Sequence, residues 1–272
     1  MPHVGGPILP PNSPDVVTGF FPQARATDKA LCVGPPDFIV TGAATVLVNG
    51  LPAARKTDRT MHQPPGEVLT GFASVDIGGA TVGVTLGGGQ NAFDACAVDA
   101  GKGRTSGSKS QSYNNCGVES SRQIINEATG KNVSEDDLLN DAMKHGDAEK
   151  ERKRYDSGGT SPDQRQNLLD RHGVPSHLED NSMQNIAQAV AEKRGVITSH
   201  EVQTLWPPVV NGQSGGHAIV VTGLEYDANG NLKNVIVNDT GLGICGRSVP
   251  AGQFENSLRP GRPVNVTDKT VW

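Results

Sequence analysis

The stretch Gly216-His-Ala-Ile-Val-Val-Thr-Gly-Leu-Glu-Tyr-Asp-Ala-Asn-Gly-Asn-Leu-Lys-Asn-Val-Ile-Val-Asn-Asp239 sets two apolar, β-branched runs on either side of Asp-Ala-Asn-Gly-Asn. Such runs read as strands, and the Asn-Gly step joins them as an antiparallel hairpin. Upstream, Val196–Val202 reads as a third strand, and before it the texture turns helical. Val118 to Ala128 carries apolar residues at helical spacing and stops at Gly130. Ser134 caps a helix that ends at Gly146, and Ser161-Pro162 opens one that ends at Gly173. Asn181 or Ser182 opens another that ends at Gly195. Helices first and an antiparallel sheet second give residues 110–272 an α+β layout.

Residues 1–86 are built on a different principle. Of the 18 prolines, 11 fall within the first 65 residues, and no helical periodicity occurs there. Instead the region repeats itself. Pro22-Gln-Ala-Arg-Ala-Thr-Asp28 matches Pro52-Ala-Ala-Arg-Lys-Thr-Asp58, and Thr41 to Gly50 matches Thr70 to Gly79. Short β-type runs punctuated by Gly and Pro predict a small all-β unit. A repeat that buries so little must stack on its neighbours or on another chain. One soft or imidazole group recurs per repeat: His3, Cys32 and His62, spaced 29 and 30 residues apart. Three similar turns would bring them together near one axis, a donor set that suits tetrahedral zinc. Residues 87–109, rich in Gly, Ser and Ala, read as a linker.

The totals exclude several classes. With 272 residues and a net charge of −5, nucleic acid is not an expected partner. No apolar run approaches a membrane span, and the N-terminal residues lack the basic and apolar parts of a signal peptide. The four cysteines are irregularly spaced and read as reduced thiols rather than a disulfide framework. The mixed-sign run Glu149 to Asp156 reads as a solvated loop or helix end.

Cys116 stands apart. It lies in Gln111-Ser-Tyr-Asn-Asn-Cys-Gly-Val-Glu-Ser120, where the chain enters its first helix. Unpaired amides and the helix dipole at that place favour the thiolate, the nucleophilic form. Such a nucleophile needs a base, a group that orients the base, and donors for an oxyanion. His217 begins the hairpin quoted above, and reflection through a turn centred near Asn229 lands close to Asp239. Asp239 is thus the candidate orienting acid, with Asn238 the neighbouring alternative on the opposite face. Gln111 could offer its amide beside the Cys116 N–H. Cys96, Cys245, His145, His172, His177 and His200 read as structural.

Taken in order, Gln…Asn-Cys-Gly, Gly-His-Ala-Ile-Val-Val and Val-Ile-Val-Asn-Asp resemble the papain-like cysteine peptidases, and within them the bacteriocin-processing branch that cleaves after double glycines. The resemblance covers about Ser110 to Leu258. It implies Cys116 as nucleophile, His217 as base, Asp239 as orienting acid and Gln111 in the oxyanion hole, with no catalytic cofactor. Two features depart from the pattern: Gln111 lies nearer the thiol than in papain, and Asn115 replaces the acidic residue common before Cys-Gly in that branch.

Val48-Asn-Gly-Leu-Pro-Ala-Ala-Arg55 resembles the PAAR-repeat proteins. That resemblance implies a small pointed β-cone with a zinc near its apex, capping the trimeric spike of the type VI secretion machine. The family shows three His and one Cys ligand, against three candidates here. The combination implies a secreted effector whose peptidase acts in a rival cell, in the cytoplasm rather than the periplasm, with an immunity protein guarding the producer. A glutamine deamidase or a cell-wall amidase remains open on the same fold, as does a non-enzymatic cargo adaptor. The run Leu86-Gly-Gly-Gly-Gln90 would also offer the enzyme a double glycine in its own linker.

Overall fold

The computed structural model describes residues 4–88, 111–207 and 215–272. The chain divides into two compact units, Met1–Leu86 with Leu224–Asn234, and Gly87–Gly223 with Val235–Trp272. His3, Cys96, most of the 87–109 linker and the end of its triple-glycine run lie outside the described residues.

In the first unit the sequence repeat is a repeat of atoms. Arg25 N–H donates to Asp28 Oδ2 at 2.8 Å, and its guanidinium reaches Asp28 Oδ1 at 3.0 Å. Thirty residues on, Arg55 N–H donates to Asp58 Oδ2 at 2.6 Å, and its guanidinium reaches Oδ1 at 3.2 Å. Each aspartate closes a tight turn through Thr27 or Thr57, whose φ values of 79° and 73° are left-handed. A two-residue hairpin precedes each turn. Leu47–Val48 pairs with Leu51–Pro52 around Asn49-Gly50, both at positive φ, as a hairpin turn with the twist of its strands requires. Val17–Thr18 pairs with Phe21–Pro22 around Gly19-Phe20 in the same way. Longer strands are few: Gly5–Ile8 pairs with Lys29–Cys32, and Thr41–Ala43 with Thr81–Gly83.

The second unit opens with three packed helices, α1 (Cys116–Thr129), α2 (Glu135–His145) and α3 (Pro162–Arg171). Their ends fall where the sequence signals placed them. Gly130 and Gly146 close α1 and α2 in the left-handed conformation. Ser134 accepts from Asp137 N–H, and Ser161 forms a full capping box with Gln164, with Pro162 at the first position. Val118, Ile124, Leu138, Leu139, Leu168 and Leu169 interleave into a core that Ile197, Ala218 and Val220 close from the sheet. Helix α4 (Met183–Ala191) is capped by Ser182 but stops before Gly195, which lies inside a strand.

That sheet has more strands than the sequence suggested. Its main path runs through β1 (Ser176–Glu179), β2 (Arg194–Glu201), β3 (Gly216–Tyr226), β4 (Leu232–Asp239), β5 (Ile244–Pro250) and β6 (Val264–Thr270), in the spatial order β1-β6-β2-β3-β4-β5. The terminal strand β6 inserts between β1 and β2, antiparallel to both. The expected hairpin is β3–β4, with Asp227 accepting from the backbone N–H groups of Asn229 and Asn231 and Gly230 at φ 79°. Short helices α5 (Val202–Leu205) and α6 (Ala251–Ser257) pack together beside the sheet. The α+β layout of helices before an antiparallel sheet holds.

Candidate active site

Cys116 is the first residue of α1, and Asn115 is its cap. The cap side chain does not bond the helix; its amide donates instead to Glu135 Oε1 at 3.1 Å. The amides of the first turn are therefore left to act near the thiol. The helix bears the thiol against the start of β3, where Ala218 N–H donates to Cys116 Sγ at 3.3 Å. His217, one residue earlier on that strand, hydrogen-bonds the thiol.

The far side of the imidazole is held. His217 Nε2 donates to Asp239 Oδ2 at 2.8 Å, and Asp239 is wholly buried at the end of β4. The same Oδ2 accepts from Trp206 Nε1 at 2.6 Å, while Oδ1 accepts from Leu242 N–H at 3.2 Å. Trp206 follows α5 and is itself capped by the Arg247 guanidinium, 4.4 Å from its ring centroid. Asn238, the neighbouring candidate, faces the other way: its amide donates to Gln123, and its oxygen accepts from Gly246 N–H. Strand alternation thus separates the two candidates.

The electrostatics follow from this chain of contacts. Burial pushes the Cys116 thiol up, but the hydrogen bond and charge of His217, the Ala218 amide and Arg165 together bring it below the usual thiol value. Burial pushes His217 down, and the charge and hydrogen bond of Asp239, with Cys116, outweigh it and drive the ring up to about 10. Both shifts favour a thiolate–imidazolium pair. Asp239 is lowered as well: burial raises it, but the His217 charge and three donors prevail. Such a pair presents an attacking sulfur and a proton donor on one side of a partly exposed cysteine.

Gln111 is tied to the same place. Its backbone N–H donates to Thr240 O at 2.8 Å, and its side-chain oxygen accepts from Thr240 Oγ1 at 2.8 Å, next to Asp239. One hydrogen of its amide nitrogen goes to Tyr113 O at 3.0 Å. The second hydrogen is what the chain could offer an oxyanion.

Three participants were not read from the sequence: Trp206, Arg165 and Gly241. A Cβ at Gly241 would stand 2.9 Å from His217 Cε1 and 3.1 Å from Asp239 Oδ1, closer than side-chain carbons pack. Gly241→Ala is therefore expected to leave the fold in place and displace the imidazole. A shift approaching 1 Å would lower hydrolysis by about 10²-fold. Steady-state rates beside circular dichroism check this, and an alanine enzyme at full rate would refute it. Cys245 departs from the reduced state expected of it, being disulfide-bonded.

Residues 104–260 match the profile of the Peptidase_C39 like family, more than half of the chain. The chain belongs to that family. Residues 1–64 match the PAAR motif, so a PAAR region and a C39-like peptidase domain occur on one polypeptide. Among solved structures, a protein described as a C39-like peptidase from Bacillus anthracis is similar, at 17% identity and a TM-score of 0.41. The match covers 58% of this chain and 90% of that one. No curated protein matches.

The PAAR region holds a second cluster. Cys32 is buried at the end of its strand, and burial, then the charge of Asp37, pushes its thiol up. His62 is buried too, with Nδ1 3.6 Å from Asp37 Oδ2. Asp37 Oδ1 accepts from the backbone N–H groups of Phe38, Met61 and His62. Among the described residues no three such groups form a ready metal cage. A buried thiol and imidazole beside a carboxylate are nonetheless donors that fit zinc, with the carboxylate placed to orient the imidazole.

Proposed function

We propose that this chain is a type VI secretion effector whose C39-like domain hydrolyses an amide bond in a protein of the target cell. One observation carries the reading: Cys116, His217 and Asp239 converge at a helix N-terminus on the same polypeptide as a PAAR motif. In the proposed reaction the Cys116 thiolate attacks the carbonyl carbon. The second Gln111 amide hydrogen and the Cys116 N–H receive the developing oxyanion. The His217 imidazolium gives its proton to the leaving nitrogen, and water, deprotonated by the neutral ring, then releases the acyl group from sulfur. Double glycine is the proposed cleavage site, and an immunity protein is the expected antagonist.

Delivery rests on the first unit. Phe20, at the tip of a hairpin with φ 70°, is 95% exposed, and Phe21 and Leu69 are 75% and 74% exposed. Phe21, Phe72, Val75 and Ile77 line an open groove of ≈ 980 Å³. Apolar surface of this kind calls for a partner, and the trimeric spike is the one proposed.

The test is expression of the full chain and its Cys116→Ala variant in the cytoplasm of a susceptible bacterium, followed by mapping of protein termini. New termini that depend on Cys116 support proteolysis, and cuts after Gly-Gly support the narrower reading. A one-dalton gain in a host protein without new termini would replace it with deamidation. Equal effects of both chains would leave an adaptor.

Zinc is proposed for the first unit, held by Cys32 and His62 together with His3. Purified protein is expected to carry about one zinc per chain, and chelation should lower its melting temperature, because a structural metal contributes folding energy directly. Cys32→Ser should lower both the zinc content and the response to chelator. Metal-free protein with an unchanged melting temperature would remove zinc from the account.

A further inference from the structure

The α3 residue Arg165 is 2% exposed. Its Nε donates to Asn265 Oδ1 at 2.8 Å on β6, and one terminal nitrogen donates to Ser199 Oγ at 2.9 Å on β2. Asn265 is fixed in turn by donating to Pro162 O at 2.8 Å. Both acceptors are neutral. Among the described residues no carboxylate lies within ion-pair distance of this guanidinium, unlike Arg25, Arg55, Arg122 or Arg171. A buried cation held only by neutral groups is costly unless an anion lies near.

The anion at hand is the Cys116 sulfur. Ser199 pairs across the sheet with Ala218, whose N–H holds that sulfur. The Arg165 stem runs beside Gly117, where an added Cβ would meet Arg165 Cδ at 3.1 Å. Charge balance agrees. A thiolate, an imidazolium and the Asp239 carboxylate sum to one net negative charge in a buried site, and one guanidinium brings it to zero. Other buried carboxylates near the helix start have partners of their own: Glu119 accepts from Arg122, and Glu135 from Ser112 N–H and Asn115. Burial lowers the Arg165 guanidinium to about 10, the Cys116 charge opposes that, and Arg262 and Asp163 act on it with opposite signs, so it stays charged at neutral pH.

We infer that Arg165 is a positioning residue: the buried counter-ion that keeps Cys116 a thiolate while Asp239 is ionised. This deepens the reading of Cys116 as a nucleophile. It also explains why an arginine, which does not release its proton, occupies a place where substrate cannot reach it.

The test is the pH dependence of Cys116 alkylation by iodoacetamide in the full-length protein, with Cys116→Ser as background. The wild-type rate should rise with pH well below the range of an ordinary thiol. In Arg165→Gln, which keeps hydrogen-bonding capacity without charge, the rise should move up by roughly one to three pH units. At a fixed pH on that slope the rate would fall about tenfold or more. Arg165→Lys should recover most of the loss. A folded Arg165→Gln protein with an unmoved profile overturns the inference. Should that variant fail to fold, Asn265→Ala, which frees the guanidinium from one hold, must give a smaller upward shift; an unmoved profile there overturns it equally. Alkylation needs no substrate, so a protein that alkylates as expected yet cuts nothing would defeat the peptidase reading alone.

Discussion

Replacing Cys116 by alanine is expected to lower amide hydrolysis by about 10⁴-fold or more and to leave folding intact. Removing the nucleophile of such a constellation leaves only what binding and the oxyanion donors supply. The structural cost is small because the thiol is partly exposed and lies at the margin of the core, where only a sulfur is lost. Its hydrogen bonds are to Ala218 N–H and to a ring already anchored by Asp239. Rates on a double-glycine peptide library, measured beside denaturation curves, separate the two effects. Residual hydrolysis within tenfold of wild type would show that the sulfur is not the attacking atom.

Asp239→Ala is expected to harm both activity and stability. The carboxylate is wholly buried and receives the His217 ring, the Trp206 indole and the Leu242 amide. Its removal leaves an imidazole and an indole N–H without their acceptor. Breaking a buried charge pair from one side costs about 3–5 kcal/mol, and loss of the oriented base about 10²–10⁴ in rate.

The stability loss should depend on pH with a definite sign. Asp239 is lowered in the fold, so its contribution is present above about 3.9, the unfolded value, and is lost on further acidification. His217 is raised to about 10, so its contribution is full below about 6.5 and is lost as pH rises toward its folded value. The gap between wild type and variant should be widest between about pH 4 and 6.5 and should narrow by pH 10. Urea titrations at pH 5.5 and 10 measure it. A gap of equal size at both would mean that packing around Trp206, and not the charged pair, holds this corner.

Helix ends were the most legible part of the fold, because each is written in a few adjacent residues. Ser134, Ser161-Pro162, Ser182, Gly130 and Gly146 each act where they stand. The PAAR repeat was legible for the same reason, since its Arg–Asp turns close over three residues. Strands β1, β5 and β6 carry no such local signal. They are short or mixed in polarity, and β6 belongs in the sheet only because it inserts between strands more than sixty residues before it in sequence.

For the site, the sequence by itself determined the thiol at a helix start, the histidine at a strand start, and the hairpin that carries an acid back to it. The sequence left Asp239 and Asn238 both open as that partner; in the folded chain His217 bonds Asp239, and Asn238 faces the other way to Gln123. Only the tertiary structure decided what surrounds them. Trp206 reaches Asp239 from 33 residues away, and Arg165 is placed by acceptors 34 and 100 residues distant. Gly241 matters because an imidazole happens to lie against it. These contacts are set by how separate elements pack, and no local spacing encodes which side chains meet there.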